Sequence, residues 1–325
     1  MKPKFKILSL SILICTAISM STTPVNAQDQ LLSAEQVTYY TQEWEGARDD
    51  MGRPLVSDDL LNRLKYVRLE EAWGAIRGAG YNNKFDGDFH VMHPDRKMVG
   101  RALTAAFMPM SPELNERVIA NARAKGIPSG ANLWPIYLLK PGDVYVADGW
   151  GKVENGTLIG NNLGAAIHAN SGNGPVFNAG ARDLDALRDV EGFNAWVKGW
   201  HPSAIQDMML VSINGPTRIG AAIVLPGDVV LASEGGVLFI PPHLLERVVL
   251  SSEVERLSDN FRKIRLAEGK YVLGQMYGVT WSDAIYEDFY GWLRSDRAKI
   301  NGEFGVGFST IDKVLETRST NWREW

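Results

Sequence analysis

One segment combines glycine, asparagine and small residues where a helix is predicted to begin. In Gly156–Ala166 an apolar strand end runs into Gly160, then into Asn161, which is suited to N-capping, and then into small helix-compatible residues. Such a turn exposes unpaired backbone N–H groups at the positive end of a helix, where a small carboxylate or phosphate is the natural guest. Many α/β turns of this kind bind nothing, so this segment alone does not specify a site.

A second segment, Phe177–Asp185, ends a strand in a tight turn that carries the adjacent pair Arg182 and Asp183. A guanidinium can bind a carboxylate or another oxyanion through two parallel hydrogen bonds. A carboxylate can hold a hard divalent cation such as Mg²⁺, which keeps most of its waters. The loops at the carboxyl edge of an α/β sheet converge on one crevice, so the two segments can share a site. The alternatives for Arg182 and Asp183 are a surface ion pair or an aspartate that starts a helix.

The histidines give weaker signals. His90 and His93 have a spacing seen in metal sites, but no third ligand is evident nearby in the sequence, and we expect neither to be a ligand. His168 falls on the small-residue helix, where we expect a structural role; a role near the cleft is the alternative. The sequence has no Gly-x-Ser-x-Gly elbow, which argues against a Ser-His-Asp hydrolase.

Short β-type runs separated by glycine, mixed with helices, are predicted to position these residues. Strands mixed with helices at this interval favour an α/β layer structure. The predicted strands are Val144–Ala147, Pro175–Phe177, Met208–Ile213, Ala221–Leu225, Val229–Ala232 and Val237–Ile240, with a helix at Leu163–Ala169.

Helices are predicted on both sides of these strands. On the N-terminal side they are Ser33–Arg48, Asp58–Leu64 with Ser57 as N-cap, and Leu69–Arg77, followed by a loop at Gly78–Asp95; on the C-terminal side they are Leu244–Leu250 and Val254–Leu266. An aromatic stripe at helical spacing comprises Trp281, Ile285, Phe289, Trp292 and Leu293. Such a stripe predicts core packing or a subunit contact rather than a cofactor site.

The N-terminus has the features of a secretory signal peptide. A basic start precedes the apolar run Ile7–Met20, and Val25-Asn26-Ala27 supplies small residues for cleavage before Gln28. We therefore expect an exported protein, periplasmic or secreted, that meets the membrane only through this signal; an uncleaved anchor is the alternative. The only cysteine, Cys15, lies in the signal, so the mature protein would have no disulfide and no cysteine-ligated metal. A formal net charge of −4 without basic clusters argues against a nucleic-acid partner.

The order of the motifs from Pro141 to Pro242 resembles the RraA/4-hydroxy-4-methyl-2-oxoglutarate aldolase family. A Gly-Asp-Val strand, a glycine turn into a small-residue helix, Gly-Ala-x-Arg-Asp, Pro-Gly-Asp-Val-Val and a Gly-Val hairpin ending in proline follow one another in both. Here these pieces are Gly142–Val144, Gly160–Ala166, Gly180–Asp183, Pro226–Val230 and Gly236–Pro241.

The resemblance implies an αββα sandwich, swivelling β/β/α-like, that forms homotrimers or homohexamers with the active site between subunits. By the same resemblance, the turn Gly160–Leu163 binds a pyruvate carboxylate through the amides of Asn161, Asn162 and Leu163. Arg182 contacts the substrate, and Asp183 holds Mg²⁺ or Mn²⁺. The expected organisation is a signal peptide (1–27), an N-terminal extension (28–56), an RraA-like domain (57–266) and a helical, aromatic-rich C-terminal extension (267–325).

The implied activity is a metal-dependent lyase that cleaves a 4-hydroxy-2-oxo acid or decarboxylates oxaloacetate through a pyruvate enolate. The general base is not identifiable; a metal-bound water, or Glu253 or Glu255 of a neighbouring subunit, are candidates. Asn161 stands where the aldolases carry an aspartate that assists the metal. The acids of the later hairpin are also replaced, by Ser233 and Gly235. An exported protein that binds a small acid or sugar acid, with different or no catalysis, is therefore the main alternative, and a protein-binding regulator is a third.

Overall fold

The computed structural model describes residues 30–127, 130–321 and 323, so the predicted signal peptide lies outside the described residues. Twelve α-helices lie in this described part: α1 Ala34–Tyr40, α2 Asp58–Leu64, α3 Leu69–Arg77, α4 Pro112–Ala124, α5 Trp134–Tyr137, α6 Asn161–Ser171, α7 Leu184–Arg188, α8 Leu245–Ala267, α9 Leu273–Met276, α10 Asp283–Ser295, α11 Arg297–Phe304 and α12 Phe308–Thr317. The same residues form thirteen strands: β1 Phe85–Asp86, β2 His90–Val91, β3 Met98–Pro109, β4 Asp143–Asp148, β5 Pro175–Asn178, β6 Gly180–Ala181, β7 Trp196–Val197, β8 Gly199–Trp200, β9 Met208–Ile213, β10 Thr217–Ile219, β11 Ala222–Val224, β12 Val229–Ser233 and β13 Gly236–Ile240.

A mixed sheet of nine strands forms the centre of the fold among the described residues. Its order is β1-β13-β12-β3-β4-β5-β7-β2, and β9 pairs with the far half of the long strand β3. The pairs β3–β4, β4–β5 and β5–β7 are parallel, and the other pairs are antiparallel. The parallel strands β4, β5 and β7 are almost entirely buried and mostly apolar, as expected for strands that are covered on both faces.

Helices and a hairpin cover opposite faces of this sheet. On one face α2, α3 and α8 pack over β12 and β13, and residues of α4 to α7 pack over β3, β4 and β5. On the other face, Val144, Val146 and Val176 pack against the apolar side chains of the β10–β11 hairpin. The structure therefore confirms the predicted mixed α/β class, with additional helices at the C-terminus.

A second, smaller parallel sheet positions the two motifs singled out in the sequence. Thr157 forms a parallel bridge with Gly180, and β6 pairs in parallel with β8. A Cβ on Gly180 would lie 2.9 Å from the Val153 carbonyl oxygen, so the tight approach of these segments requires glycine there. All three segments run in the same direction and end at the same edge.

The C-terminal helices form a core of their own around Phe261 of α8. This ring lies 5.2 to 5.7 Å from those of Trp281, Phe289 and Trp292, in tilted or edge-on geometries that aromatic pairs favour. The predicted stripe is thus confirmed as packing, with Ile285 and Leu293 buried in the same cluster. None of the helices in the described ranges is both long enough and apolar enough to cross a bilayer.

The residues before α2 contact the sheet directly. Leu31 bridges Ile213 of β9, and Arg53 donates to Asp143 at the start of β4 over 2.9 Å. Both side chains are almost fully buried, and burial raises the pKa of the Asp143 carboxyl even though Arg53 opposes the shift. The division of the chain into an extension and a domain at residue 56 stays a prediction.

Most of the predicted elements are confirmed, including Ser57 as N-cap, whose Oγ accepts the N–H of Leu60 at 3.3 Å. The helix predicted at Ser33–Arg48 is wrong beyond Tyr40, because the chain leaves helical geometry at Thr41. The Arg48 guanidinium then donates to the carbonyls of Thr41 and Trp44 and closes a loop. The predicted loop Gly78–Asp95 contains the two short strands β1 and β2.

Candidate functional site

The turn after Gly160 and the turn at Arg182 lie against each other. The backbone N–H of Asn161 donates to Asp183 Oδ2 at 3.1 Å, and the Arg182 N–H donates to the Ile159 carbonyl at 3.0 Å. A Cβ on Gly160 would lie 2.4 Å from that carboxylate oxygen, so only glycine leaves room for this contact. The structure thus brings together the two motifs that the sequence separates by about twenty residues.

Helix α6 begins one residue earlier than an Asn161 N-cap would require. Gly160 is the N-cap, and Asn161 is the first helical residue. The amide of Asn162 donates to Asn161 Oδ1 at 2.8 Å, and Asp183 takes the amide of Asn161. Two of the three predicted amide donors therefore already have an acceptor in the chain. A carboxylate that binds these amides has to displace those acceptors. Leu163, the third, is half-buried.

The space at Gly164 is filled from within the protein rather than left for a ligand. A Cβ at this position would lie 2.2 Å from Leu187 Cδ2, so the glycine allows α7 to pack against α6. Because α7 follows directly after Asp183, this packing fixes the position of the Arg-Asp turn relative to the start of α6.

Asp183 adopts a left-handed backbone conformation, with φ 61° and ψ 40°, as the N-cap of α7. This region costs an L-residue roughly 1–2 kcal/mol, although aspartate tolerates it better than most. Its carbonyl accepts the N–H of Leu187 at 2.9 Å. A residue held in a sparsely populated conformation by its surroundings is a common feature of binding sites.

The charged groups of this pair are available to a ligand. Asp183 is exposed and Arg182 is half-buried. Within residues 30–127, 130–321 and 323, the Arg182 guanidinium has no hydrogen bond or ion pair, and the Asp183 carboxylate accepts only the Asn161 amide. The alternative of a surface ion pair is therefore not what the structure shows, whereas the other alternative, an aspartate that starts a helix, is confirmed by Asp183 as the N-cap of α7.

A histidine that the sequence did not single out directly follows β8, the second strand of the small sheet. The His201 N–H donates to the Ala181 carbonyl at 3.0 Å, so His201 follows β8 as Arg182 follows β6. Its ring contacts Ser203, whose Oγ accepts the Asn155 N–H at 2.6 Å. The strand β8 has two residues, too few for a periodic signal in the sequence.

The other histidines lie elsewhere. His168 Nδ1 is 3.3 Å from the Asn173 carbonyl and its ring packs edge-on against Phe193, which confirms a structural role. His90 is exposed on β2, and the His93 N–H donates to Asn194 Oδ1 at 2.9 Å. In the part of the chain that the structure covers, no group of three or more His, Cys, Asp or Glu side chains can hold a metal ion.

The prediction of Glu253 as a candidate general base is wrong. Its side chain is 0% exposed, and Arg63 donates to both carboxylate oxygens at 2.8 and 2.6 Å. Thr310 and the Gly307 amide also donate to it. A carboxylate sealed in this way within its own subunit ties α12 to α2 and cannot reach a neighbouring site. Glu255 is exposed on α8, and partial desolvation, together with the nearby Glu71 and Asp259 carboxylates, raises the pKa of its carboxyl.

Arg182 and Asp183 do not line either of two clefts on the protein surface. One cleft is lined by α10 and the residues after α12, and another lies between α3 and α8. Neither contains either member of the pair. The candidate site therefore lies outside both of these clefts, at the edge of the small sheet.

The sequence from residue 71 to residue 239 matches the family model described as RraA-like, Aldolase/RraA, and this is more than half of the chain. The chain belongs to the RraA-like family. The matched range contains both turns of the candidate site. A relative from Halalkalibacterium halodurans, named as a candidate 4-hydroxy-4-methyl-2-oxoglutarate aldolase, is 27% identical over 169 residues, which are 51% of this chain and 79% of the relative.

Solved structures show the same fold as this RraA-like protein. Streptomyces coelicolor RraAS2, described as an unusual member of the RNase ES inhibitor RraA protein family, superposes with a TM-score of 0.56 at 21% identity, covering 66% of this chain and 98% of that one. An uncharacterized protein from Pseudomonas syringae pv. tomato gives a TM-score of 0.55 at 18% identity, covering 69% of this chain and 98% of that one. These likenesses confirm the RraA-like fold.

Proposed function

We propose that this RraA-like protein is a divalent-metal-dependent lyase of the class II pyruvate aldolase type. It would cleave a 4-hydroxy-2-oxo acid, decarboxylate oxaloacetate, or do both. The observation that carries the proposal is the contact of 3.1 Å between the Asn161 amide and Asp183, because it joins the predicted carboxylate-binding turn to the predicted metal ligand. Both reactions leave pyruvate enolate, so one site that stabilises this anion serves both.

The residues present fit a Mg²⁺ or Mn²⁺ ion that is held largely by water and substrate. Asp183 is exposed, and one of its carboxylate oxygens has no partner among the described residues. Mg²⁺ is usually bound by one or two carboxylates together with waters and substrate oxygens, so a single aspartate suffices as the direct protein ligand. When bound there, the cation supplies Lewis-acid stabilisation of the charge that develops on the 2-oxo group.

Arg182 supplies a fixed positive charge beside Asp183. Its unpaired, half-buried guanidinium can donate two parallel hydrogen bonds to a carboxylate, which orients a 2-oxo acid as well as binding it. The start of α6 adds the partial positive charge of a helix N-terminus. Both positive charges lie beside Asp183, where they can stabilise a developing enolate.

Binding of a small acid without turnover is the second candidate. Asn161 in place of aspartate removes one negative charge next to Asp183, and this weakens the attraction for a dication. The same substitution leaves the positive charges of Arg182 and of the helix start with one negative neighbour fewer, which favours an anionic guest. This alternative predicts tight oxalate binding and no product.

Incubation of the purified protein with oxaloacetate, with and without Mg²⁺, tests the lyase. We expect metal-dependent pyruvate release that Asp183→Ala abolishes. The matched control is Asp185→Ala, since Asp185 is exposed two residues further on and its nearest ion-pair partner, Arg188, is 3.7 Å away. Activity that survives Asp183→Ala, or that is lost equally in the control, contradicts the assignment. Oxalate binding by an inactive wild type supports the binder.

Assembly and export are further parts of the proposal. A homotrimer or homohexamer would place the site against a neighbouring subunit and close it from solvent; light scattering of the purified protein measures the stoichiometry. Export predicts that mature protein begins at Gln28, which N-terminal sequencing of protein from cell fractions determines.

A further inference from the structure

His201 directly follows β8 of the small parallel sheet, beside the two turns of the candidate site. Gly180 pairs with Gly199 and Ala181 with Trp200, so Arg182 and His201 are the next residues on neighbouring parallel strands. The two backbones are joined by the bond of 3.0 Å from His201 N to the Ala181 carbonyl. This places an imidazole at the same sheet edge as the guanidinium and the carboxylate.

The tautomer of His201 is fixed from one side. The backbone N–H of Ser203 donates to His201 Nδ1 at 3.2 Å, and Ser203 Oγ lies 2.8 Å from the same nitrogen. A backbone amide can only donate, so Nδ1 has to keep its lone pair. The neutral ring then carries its hydrogen on Nε2.

Ser203 is itself held in place. Its Oγ accepts the Asn155 N–H at 2.6 Å. Its carbonyl accepts the hydroxyl of Thr157, the residue that bridges Gly180 of β6. The Ser203 loop is therefore tied to the segment that leads into Gly160. By contrast, Nε2 has no partner in the described residues and is not among the buried unpaired atoms. The ring is half-buried.

We propose that His201 is a third substrate-contacting side chain of this site, donating a hydrogen bond from Nε2–H to an anionic oxygen of the bound acid. A neutral donor suits a site that already holds Arg182 and attracts a dication, because an added imidazolium charge would repel the cation. An Nε2 that carries hydrogen is also unable to ligate the metal. His201 thus recognises the acid and leaves the metal to Asp183. The identity of the acid and the cation at Asp183 rest on the proposed function.

Two isosteres test this assignment against a purely structural role. In His201→Gln the amide nitrogen takes the place of Nε2 and keeps the donor, whereas in His201→Asn it takes the place of Nδ1 and loses it. We expect calorimetric affinity for oxalate, with Mg²⁺ present, to stay within about threefold in His201→Gln and to fall roughly 10- to 100-fold in His201→Asn, the range expected for a hydrogen bond to a charged group. The reverse order, or equal affinities, overturns the proposal.

A measurement on the unaltered protein tests the tautomer directly and uses a variant only to assign the signals. Two-bond ¹H–¹⁵N correlation of histidine side chains, assigned by the signals missing in His201→Gln, should show Nδ1 unprotonated and Nε2 protonated. Oxalate should shift the Nε2–H signal, and Mg²⁺ alone should leave it unchanged. An Nδ1–H tautomer, or no shift with oxalate, refutes the assignment.

The two proposals fail separately. If the wild type releases no pyruvate but His201→Gln binds oxalate more tightly than His201→Asn, the role of His201 is retained and the lyase is refuted. Pyruvate release by a wild type in which Gln and Asn behave alike refutes the role of His201 and retains the lyase. A wild type that neither turns over oxaloacetate nor binds oxalate refutes both.

Discussion

Gly160→Ala separates the geometry of the site from the stability of the fold. The new methyl group would lie 2.4 Å from Asp183 Oδ2 and 3.1 Å from Arg182 Nε. Ordinary contact begins at 3.4 Å, so the carboxylate has to move by about 1 Å, and its bond to the Asn161 amide breaks. The backbone at Gly160, with φ −124° and ψ −166°, is extended and suits alanine, so the methyl group perturbs the folded state by its contacts and not by backbone strain.

The loss of stability should be small and the loss of activity large. A hydrogen bond to a charged group contributes about 1.5–3 kcal/mol, and the lower end applies because Asp183 is exposed. Reduced freedom of the unfolded chain offsets about 0.4–1 kcal/mol of this, which leaves a loss of about 1 kcal/mol. A misplacement of about 1 Å in a site can cost roughly 100-fold in rate. We therefore expect pyruvate release from oxaloacetate to fall about 100-fold while the protein stays folded.

Urea unfolding followed by circular dichroism measures the first quantity, and a coupled assay of pyruvate measures the second. Gly291→Ala is the matched control, because a Cβ on this exposed helical glycine meets nothing within 4 Å. It should stabilise the protein by about 0.5–1 kcal/mol and leave activity unchanged. If Gly160→Ala keeps wild-type stability and activity, the two turns do not meet as described.

Three further predictions concern stability. Arg63→Ala leaves the buried Glu253 carboxylate without its charged partner and should lower the free energy of unfolding by about 3–5 kcal/mol; a urea midpoint close to wild type would contradict this. Phe261→Ala removes the centre of the C-terminal aromatic cluster and should cost about 3–5 kcal/mol, with fluorescence of the surrounding tryptophans lost at lower urea than in wild type. Burial lowers the pKa of His243 below its ordinary value of 6.5, so the unfolded chain takes up a proton first and stability falls as the pH drops below 6.5. His243→Gln should therefore lose less stability than wild type between pH 7.5 and pH 5.5, and parallel losses would refute this assignment.

The sequence was sufficient to predict the two turns because each has a strong local signal. Glycine followed by asparagine and small residues predicts a strand-to-helix turn, and Gly-Ala-x-Arg-Asp predicts another. Their spacing and order indicated one site, and the contact between Asn161 and Asp183 agrees with that. The acceptance of the Asn161 amide by Asp183 was not predictable, since it depends on how α7 packs through Leu187 onto Gly164.

Long-range contacts explain what the sequence did not reveal. Glu253 lies in a helical pattern that gives no sign of its partners, and Arg63 is 190 positions away. His201 has no periodic pattern around it, because its strand has only two residues and is recognised by pairing alone. The helix predicted through Arg48 ends early because Arg48 satisfies the carbonyl groups of the preceding turn, a tertiary arrangement that local propensity does not encode.

The small parallel sheet accounts for how three distant segments can act as one site. Parallel strands present their carboxyl ends at one edge, so Gly160, Arg182 and His201 are placed together by backbone pairing and not by their side chains. Substitution of one side chain can then change the chemistry while the others keep their positions. The contact from Asn161 to Asp183, for example, uses the backbone amide and does not depend on the Asn161 side chain. In the proposed lyase, a cation held by Asp183 would depend on water and on the oxygens of the substrate for its remaining ligands, so metal and acid should bind more tightly together than either does alone.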